Sequence, residues 1–181
     1  MARLHILGAS GSGTSTLGKT LATALGYAHE DTDAYYWMPS DPPFATPRPR
    51  EARLALLQPR LSASKDWILS GSAVGWGKPL EPLFDLIVFL RLDPEIRMER
   101  LRRREFARYG NRIGPGGDMA AASREFLDWA GSYDRAGVEQ RSLAMHERWL
   151  ATQRCPVLRL DTAHPANELV EPVLEAIAAI G

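Results

Sequence analysis

The chain predicts a three-layer α/β fold, a parallel five-stranded sheet with helices on both faces, and two observations carry that prediction. Five short apolar segments alternate with stretches of helical periodicity: Arg3–Leu7, a weak one at Tyr27–Glu30, Trp67–Ser70, Leu86–Leu90 and Val157–Leu160. Strands separated by helix-length patterns build parallel sheets through crossover connections. The first apolar segment also runs straight into Gly8-Ala-Ser-Gly11-Ser-Gly13-Thr14-Ser15-Thr16, a glycine-rich turn that opens a helix. Such a turn gathers backbone N–H groups at a positive helix terminus and suits a phosphate chain.

The helices follow in order. Thr14–Leu25 has Leu17, Leu21, Ala24 and Leu25 at helical spacing; Glu51–Ser64 and Pro94–Phe106 follow the second and fourth strands; a further helix lies within Ala120–Thr152. Pro165–Ile180 closes the chain with Leu169, Val173, Leu174 and Ile177 on one face. Two stretches read as mobile loops, Met38–Pro49 with its five prolines and Tyr109–Gly117 with its four glycines. In parallel sheets ligands bind beyond the carboxyl ends of the strands, and every motif below falls there.

The loop has two possible registers. Aligning G-x-x-x-x-G-K-[ST] on Gly8 and Gly13 puts Thr14 where a phosphate-reaching lysine belongs and Ser15 where a magnesium-ligating hydroxyl belongs. A literal match occurs five residues later, Gly13 to Thr20 with Lys19, but no strand precedes it and its last residues fall inside the first helical pattern. The Gly8 register is therefore expected, with Lys19 more than a turn beyond the loop.

At 181 residues the chain suits a single domain over residues 1–181. Its 45% hydrophobic and 24% charged content are those of a globular protein, and no apolar run approaches the ~20 residues of a membrane helix. No signal peptide is read at the N-terminus. Cys155 is the single cysteine, which excludes an intramolecular disulfide and makes a reducing cytoplasm the expected compartment. Lysine plus arginine equal aspartate plus glutamate at 22 each, so a nucleic-acid partner defined by overall basicity is not expected. His5, His29, His146 and His164 have no metal-ligand spacing and are assigned structural roles.

With loop, first helix and alternation together, the chain resembles the adenylate kinase and shikimate kinase group of small P-loop kinases. The sharpest match is the run from Gly8 to Gly26, GASGSGTSTLGKTLATALG, with Thr14 for lysine as the clear departure. Asp31-Thr-Asp33, Ser70-Gly71-Ser72 and the arginine-rich Arg97–Arg104 match in order and character. The resemblance implies an ATP- and Mg²⁺-dependent kinase. Gly8, Gly11, Ser12, Gly13, Thr14, Ser15 and Thr16 would bind phosphates, Ser15 and Asp31 would serve the magnesium, and Arg100 would lie near the adenine. Asp33 would bind the acceptor hydroxyl and act as base, Arg104 would lie near the phosphates, and residues 106–134 would form a lid over bound nucleotide.

Phosphoryl transfer asks for positive charge that Thr14 cannot supply. Arg97, Arg100 and Arg104 lie three and four apart on one helical face, so their guanidinium groups are candidates to converge on a polyphosphate; a solvated arginine helix paired with Glu95, Glu99 and Glu105 is the alternative. Lys78 is another candidate cation. Asp31 and Asp33 read equally as the N-cap and acidic first turn of a helix beginning at Ala34. Tyr35, Tyr36, Trp37, Phe44, Arg48, Arg50, Arg53 and Trp76 surround the expected acceptor site, with Arg53 and Trp76 as the substrate contacts chosen. A nucleoside monophosphate and a hydroxylated metabolite both remain open as acceptor. A nucleotide-binding regulator that has lost catalysis is the second reading, resting on Thr14.

Overall fold

The computed structural model describes residues 2–180. Five parallel strands, β1 (Arg3–Gly8), β2 (Ala28–Asp31), β3 (Trp67–Ser70), β4 (Leu86–Arg91) and β5 (Val157–Asp161), form one sheet in the order β2-β3-β1-β4-β5. The helices are α1 (Thr14–Leu25), α2 (Thr32–Tyr36), α3 (Arg50–Ser62), α4 (Pro94–Tyr109), α5 (Ala120–Gly131), α6 (Leu143–Leu150) and α7 (Val170–Ile180). From β1 the chain travels out to β2, returns to β3, and crosses β1 to reach β4. That reversal opens a crevice at the carboxyl edge of the central strands.

Central and edge strands differ as burial requires. β3 is buried throughout, and β4 is buried from Leu86 to Leu90, because helices cover both faces. The edge strands β2 and β5 are only partly buried, which explains why Ala-His-Glu-Asp carried so faint a strand signal. Alternation along β1 divides the core. Leu4 and Ile6 pack with Leu17 and Leu21 of α1 and Val173 of α7, whereas Leu7 joins Leu57 and Leu61 of α3, Phe89 of β4 and Leu150 of α6 on the other face. At about 25 cal/mol per Å² of apolar surface, each fully buried leucine of these two layers contributes about 2 kcal/mol.

Helix ends follow local chemistry. Asp93 caps α4 by accepting from the N–H groups of Glu95 and Ile96, with Pro94 in the first turn, and Gly26 ends α1 in the left-handed region with φ 70°. The helical pattern within residues 120–152 resolves into two helices, because Ser142 begins α6 by accepting from the Met145 N–H at 3.0 Å. Helix α4 runs three residues beyond the expected Phe106, to Tyr109, and the glycine-rich stretch after it opens with a 3₁₀ turn at Gly110–Ile113. A second 3₁₀ turn, Lys78–Leu83, lies in a stretch for which no helix was expected.

One buried charge ties these parts together. Arg97 of α4 is 1% exposed; it donates to Asp134 at 2.6 Å and to the Ala130 carbonyl at 2.9 Å. Removing the anion would strand a cation in the interior, which costs far more than the pair itself contributes. Asp134→Ala is expected to lower unfolding stability in urea by about 3 kcal/mol. A loss of under about 1 kcal/mol, the worth of an exposed pair, would show that water reaches Arg97.

Candidate functional site

The carboxyl ends of β1, β2 and β3 and the start of α4 meet at one edge of the sheet. Between β1 and α1, the Ser12 N–H closes a turn on the Ala9 carbonyl at 3.1 Å, and the Leu17 N–H bonds the Gly13 carbonyl at 2.9 Å as α1 begins. Gly13 has φ 94°, which a side chain rarely tolerates. Gly11 has φ 85°, and a Cβ there would meet Leu101 Cγ at 2.9 Å and the Arg97 carbonyl at 3.1 Å. The loop thus needs glycine both for its turn and for its approach to α4. Gly18, Lys19 and Thr20 lie inside α1 with Lys19 exposed, so the literal lysine match is helix and not loop.

Parallel pairing places Asp31 of β2 against Ser70 of β3. The Ser70 hydroxyl donates to Asp31 Oδ2 at 3.3 Å and is 2.9 Å from His29 Nε2, while Ser15 Oγ, in the first turn of α1, donates to the same Asp31 oxygen. Asp31 also accepts the Asp33 N–H at 3.0 Å through Oδ1, so it caps α2. The capping role and the contact with the loop helix therefore coexist in one carboxylate. Ser15 and Asp31 present adjacent hard oxygens, the donor type that fits a Mg²⁺ ion sharing its shell with phosphates. Among the described residues no three His, Cys, Asp or Glu side chains form an all-protein metal set.

Asp33, two residues on, lies at the open side of α2. Loss of hydration and then the neighbouring Asp31 push its carboxyl above the usual range, while Arg141, Arg104 and Arg108 pull it back. A carboxyl raised toward neutrality is a better proton acceptor than an ordinary one.

The three aligned arginines of α4 do not converge; they take three separate partners. Arg97 points inward to Ala130 and Asp134 and reaches the loop at the Ser10 carbonyl, 3.4 Å away. Arg100 donates to the Thr162 carbonyl beyond β5 at 3.2 Å. Arg104 lies within electrostatic reach of Asp33, and dehydration followed by the like charge of Arg108 disfavours its charged form. Exposed pairing accounts for Arg103 with Glu99, at 2.8 Å. Lys78 is exposed at the start of its 3₁₀ turn.

On the other side, Arg53 stacks 3.8 Å above the Tyr36 ring and donates to the Arg48 carbonyl at 2.6 Å. Trp76 is 4% exposed and packs in the core, with its indole N–H on the Ser72 carbonyl at 3.2 Å. Phe44, held at φ 65°, lies 4.7 Å beneath the Arg108 guanidinium and brings the proline-rich loop to the end of α4. Residues 106–134 are anchored at their far end by Arg97 and in the middle by Ser123, whose hydroxyl donates to Glu105 at 3.0 Å.

Arg141 escaped the sequence reading, and the structural role expected of His146 takes a specific form. Arg141 donates to the Gly8 carbonyl at 2.8 Å although 133 positions separate them. His146, fully buried, sits between Ser72 Oγ at 3.1 Å and Tyr133 Oη at 2.8 Å. Arg141 belongs to the stretch between α5 and α6, where no motif marks it.

Residues 5–113 match the family model described as AAA domain. The chain belongs to the AAA domain family. Another relative is YqaC of Bacillus subtilis (strain 168), described as an uncharacterized protein, 48% identical over 176 residues that make up 97% of each chain. Among solved structures, a gluconokinase from Sinorhizobium meliloti 1021 is similar at TM-score 0.56 and 21% identity, covering 99% of this chain and 93% of that one. A shikimate kinase from Bacteroides thetaiotaomicron is similar at TM-score 0.58 and 18% identity over 98% of both. A deoxyadenosine kinase from M. mycoides gives 0.55 and 11%, over 98% of this chain and 99% of that one. This AAA domain chain thus has the P-loop kinase fold, with a five-stranded parallel sheet and helices on both faces.

Burial lowers His146 to about 3 and His5 to about 4, so both stay neutral in the folded protein while an unfolded histidine titrates near 6.5. Their stabilising contribution is complete above about pH 6.5 and falls as pH drops toward 4, because the unfolded state then binds more protons. At pH 5 each is expected to cost about 2 kcal/mol relative to pH 7. Urea titrations at the two pH values should show a shallower loss in His146→Phe; parallel losses would mean that His146 is protonated in the native state.

Proposed function

We propose that this chain is an ATP-dependent phosphotransferase acting on a small-molecule or nucleotide acceptor. The observation that carries the reading is the meeting of the glycine loop and the Ser15–Asp31 contact at one sheet edge, with Asp33 two residues on. Gly8, Gly11, Ser12, Gly13, Thr14, Ser15 and Thr16 form the cradle for the donor phosphates, through backbone N–H groups and the positive end of α1. Arg100, facing the loop after β5, lies on the nucleotide side. Use of ATP accords with a cytoplasmic location.

In the transfer step the acceptor hydroxyl oxygen forms a bond to the γ-phosphorus as the bond from phosphorus to the β,γ-bridging oxygen breaks. ADP departs with that electron pair, and the hydroxyl proton passes to Asp33. Ser15 and Asp31 would hold Mg²⁺, whose role when bound is to neutralise phosphate charge and fix its geometry. Arg104 adds positive charge on the Asp33 side, and Arg53 with the Trp76 turn shapes the acceptor pocket. Residues 106–134 act as a lid that excludes water on closure.

Thr14 favours a second reading, a nucleotide-binding regulator without turnover, because the loop lysine is absent. ADP release from magnesium-ATP with pooled hydroxylated metabolites and nucleoside monophosphates separates the two. Acceptor-dependent ADP supports the kinase; nucleotide binding with no acceptor-dependent ADP supports the regulator.

For the kinase, Asp33→Asn is expected to lower kcat by about 10²–10⁴ with the KM for ATP little changed. Arg104→Ala should reduce kcat more than nucleotide affinity, since its interaction grows as charge develops. Hydrogen exchange across residues 106–134 should slow on addition of a non-hydrolysable ATP analogue with magnesium; identical exchange with and without it would remove the lid assignment.

A further inference from the structure

The phosphate loop has a cation beside it that the loop itself does not carry. Arg141, in the segment between α5 and α6, places Nη2 2.8 Å from the Gly8 carbonyl, at the junction of β1 and the loop. Its Nε is sealed from water and has no hydrogen-bond partner. Among the described residues, no carboxylate lies within ion-pairing distance of its guanidinium. The charged and titratable groups that act on it are Asp33 and Tyr36 from α2, Tyr133 after α5, and Arg97 of α4, and dehydration outweighs them all. A dehydrated cation held without an anion is costly, and proteins compensate such charges with a counter-ion.

The other arginines near the loop differ. Arg97 also has a buried Nε without a partner, but its guanidinium is paired with Asp134 and donates to the Ala130 carbonyl, and it serves the fold. Arg104 makes no hydrogen bond to the loop among the described residues and is flanked by Arg108 and Glu105 on its own helix. Among the described residues, Arg141 alone combines contact with the loop at Gly8, a missing carboxylate partner and the influence of Asp33.

We infer that Arg141 supplies the positive charge that position 14 lacks, binding the outer phosphates of the donor at the Gly8 side of the loop. This rests on reading Gly8–Thr16 as a phosphate site. The transferred phosphoryl group must lie beside the group that takes the acceptor proton, and Asp33 is among the charged groups that act on Arg141. Position 14 and position 141 are then alternative sources of one charge. A lysine at 14 is redundant while Arg141 is present and valuable once it is gone.

The experiment measures calorimetric binding of inorganic tripolyphosphate, a probe without a base or acceptor, to the full chain and to variants. Arg141→Gln is expected to bind it about 10- to 100-fold more weakly, the range of one charge-assisted contact. Arg102→Gln, an exposed residue of α4, should bind like the parent. Thr14→Lys should restore at least about tenfold in the Arg141→Gln background and change the parent by less than about threefold, the non-additivity expected of two groups serving one site. Melting of Arg141→Gln should be no lower than the parent, because a cation without a carboxylate partner has been removed.

Parent-like binding by Arg141→Gln, or an equal effect of Thr14→Lys in both backgrounds, overturns the assignment and leaves the phosphate site standing. No binding of tripolyphosphate or magnesium-ATP by the parent overturns the phosphate site together with the inference. Should Arg141→Gln fail to fold, Arg141→Lys decides. Affinity within about tenfold of the parent supports a charge role, and complete loss with intact melting defeats it.

Discussion

The phosphate loop keeps its shape because a charged side chain is buried behind it. Arg97 brings a guanidinium into the interior, where it can persist only if its protons are accepted, and the acceptors come from both sides: Asp134 and Ala130 at the end of α5, and Ser10 within the loop. Its stem fills the space where a side chain at position 11 would sit. The requirement for glycine at that position is therefore set by α4, a distant part of the sequence, as much as by the turn itself. The same guanidinium lies 5.3 Å from the Tyr133 ring centre, and Tyr133 contacts His146, which contacts Ser72 after β3. A continuous polar path thus runs through the interior from the loop to the turn after β3, and each member restricts its neighbours.

The sheet and the loop were legible because they depend on local patterns. Continuous apolar runs marked β3 and β4, buried on both faces, while β2 was faint because an edge strand has no need of a second apolar face. The strand-to-helix context marked Gly8–Ser15 against the literal lysine match, and the helix that encloses Lys19 shows why context outranks a pattern of letters. The end of α4 was read short at Phe106, whereas the helix continues through Ala107-Arg-Tyr109 and ends at Gly110. The break at Ser142 needed a cap, which a periodicity count passes over.

Side-chain depth was not legible. A helical wheel places Arg97, Arg100 and Arg104 on one face, yet it cannot tell that the buried stripe of the helix is Arg97, Leu101, Glu105 and Tyr109, with Arg100 and Arg104 beside it. Arg97 is consequently interior, Arg100 spans to the loop after β5, and Arg104 faces the crevice. Arg141 was missed for a related reason. Nothing around it repeats or resembles a motif, and its role arises only when residues 132–142 fold back over the carboxyl end of β1.

That folding back decides what kind of phosphate site this is. A lysine in the first turn of α1 moves with the loop and is present whenever the loop is. A cation at 141 is delivered by tertiary structure, held through the Leu143 N–H on the Tyr133 carbonyl at 2.9 Å, Ser142 on the Gly137 carbonyl at 2.6 Å and Gln140 on Ser132 at 2.8 Å. These contacts close a compact loop directly after Ala130 and Asp134, the anchors of Arg97. Disturbing the end of α5 would therefore displace Arg141 from Gly8 and strand Arg97 at the same time. The guanidinium also brings a rigid fork in place of a mobile ammonium, so less conformational freedom is lost for each hydrogen bond made to an anion. Loop geometry and loop charge, which one tripeptide supplies when lysine occupies position 14, here depend on separate parts of the chain, and the packing of residues 130–142 makes them one structure.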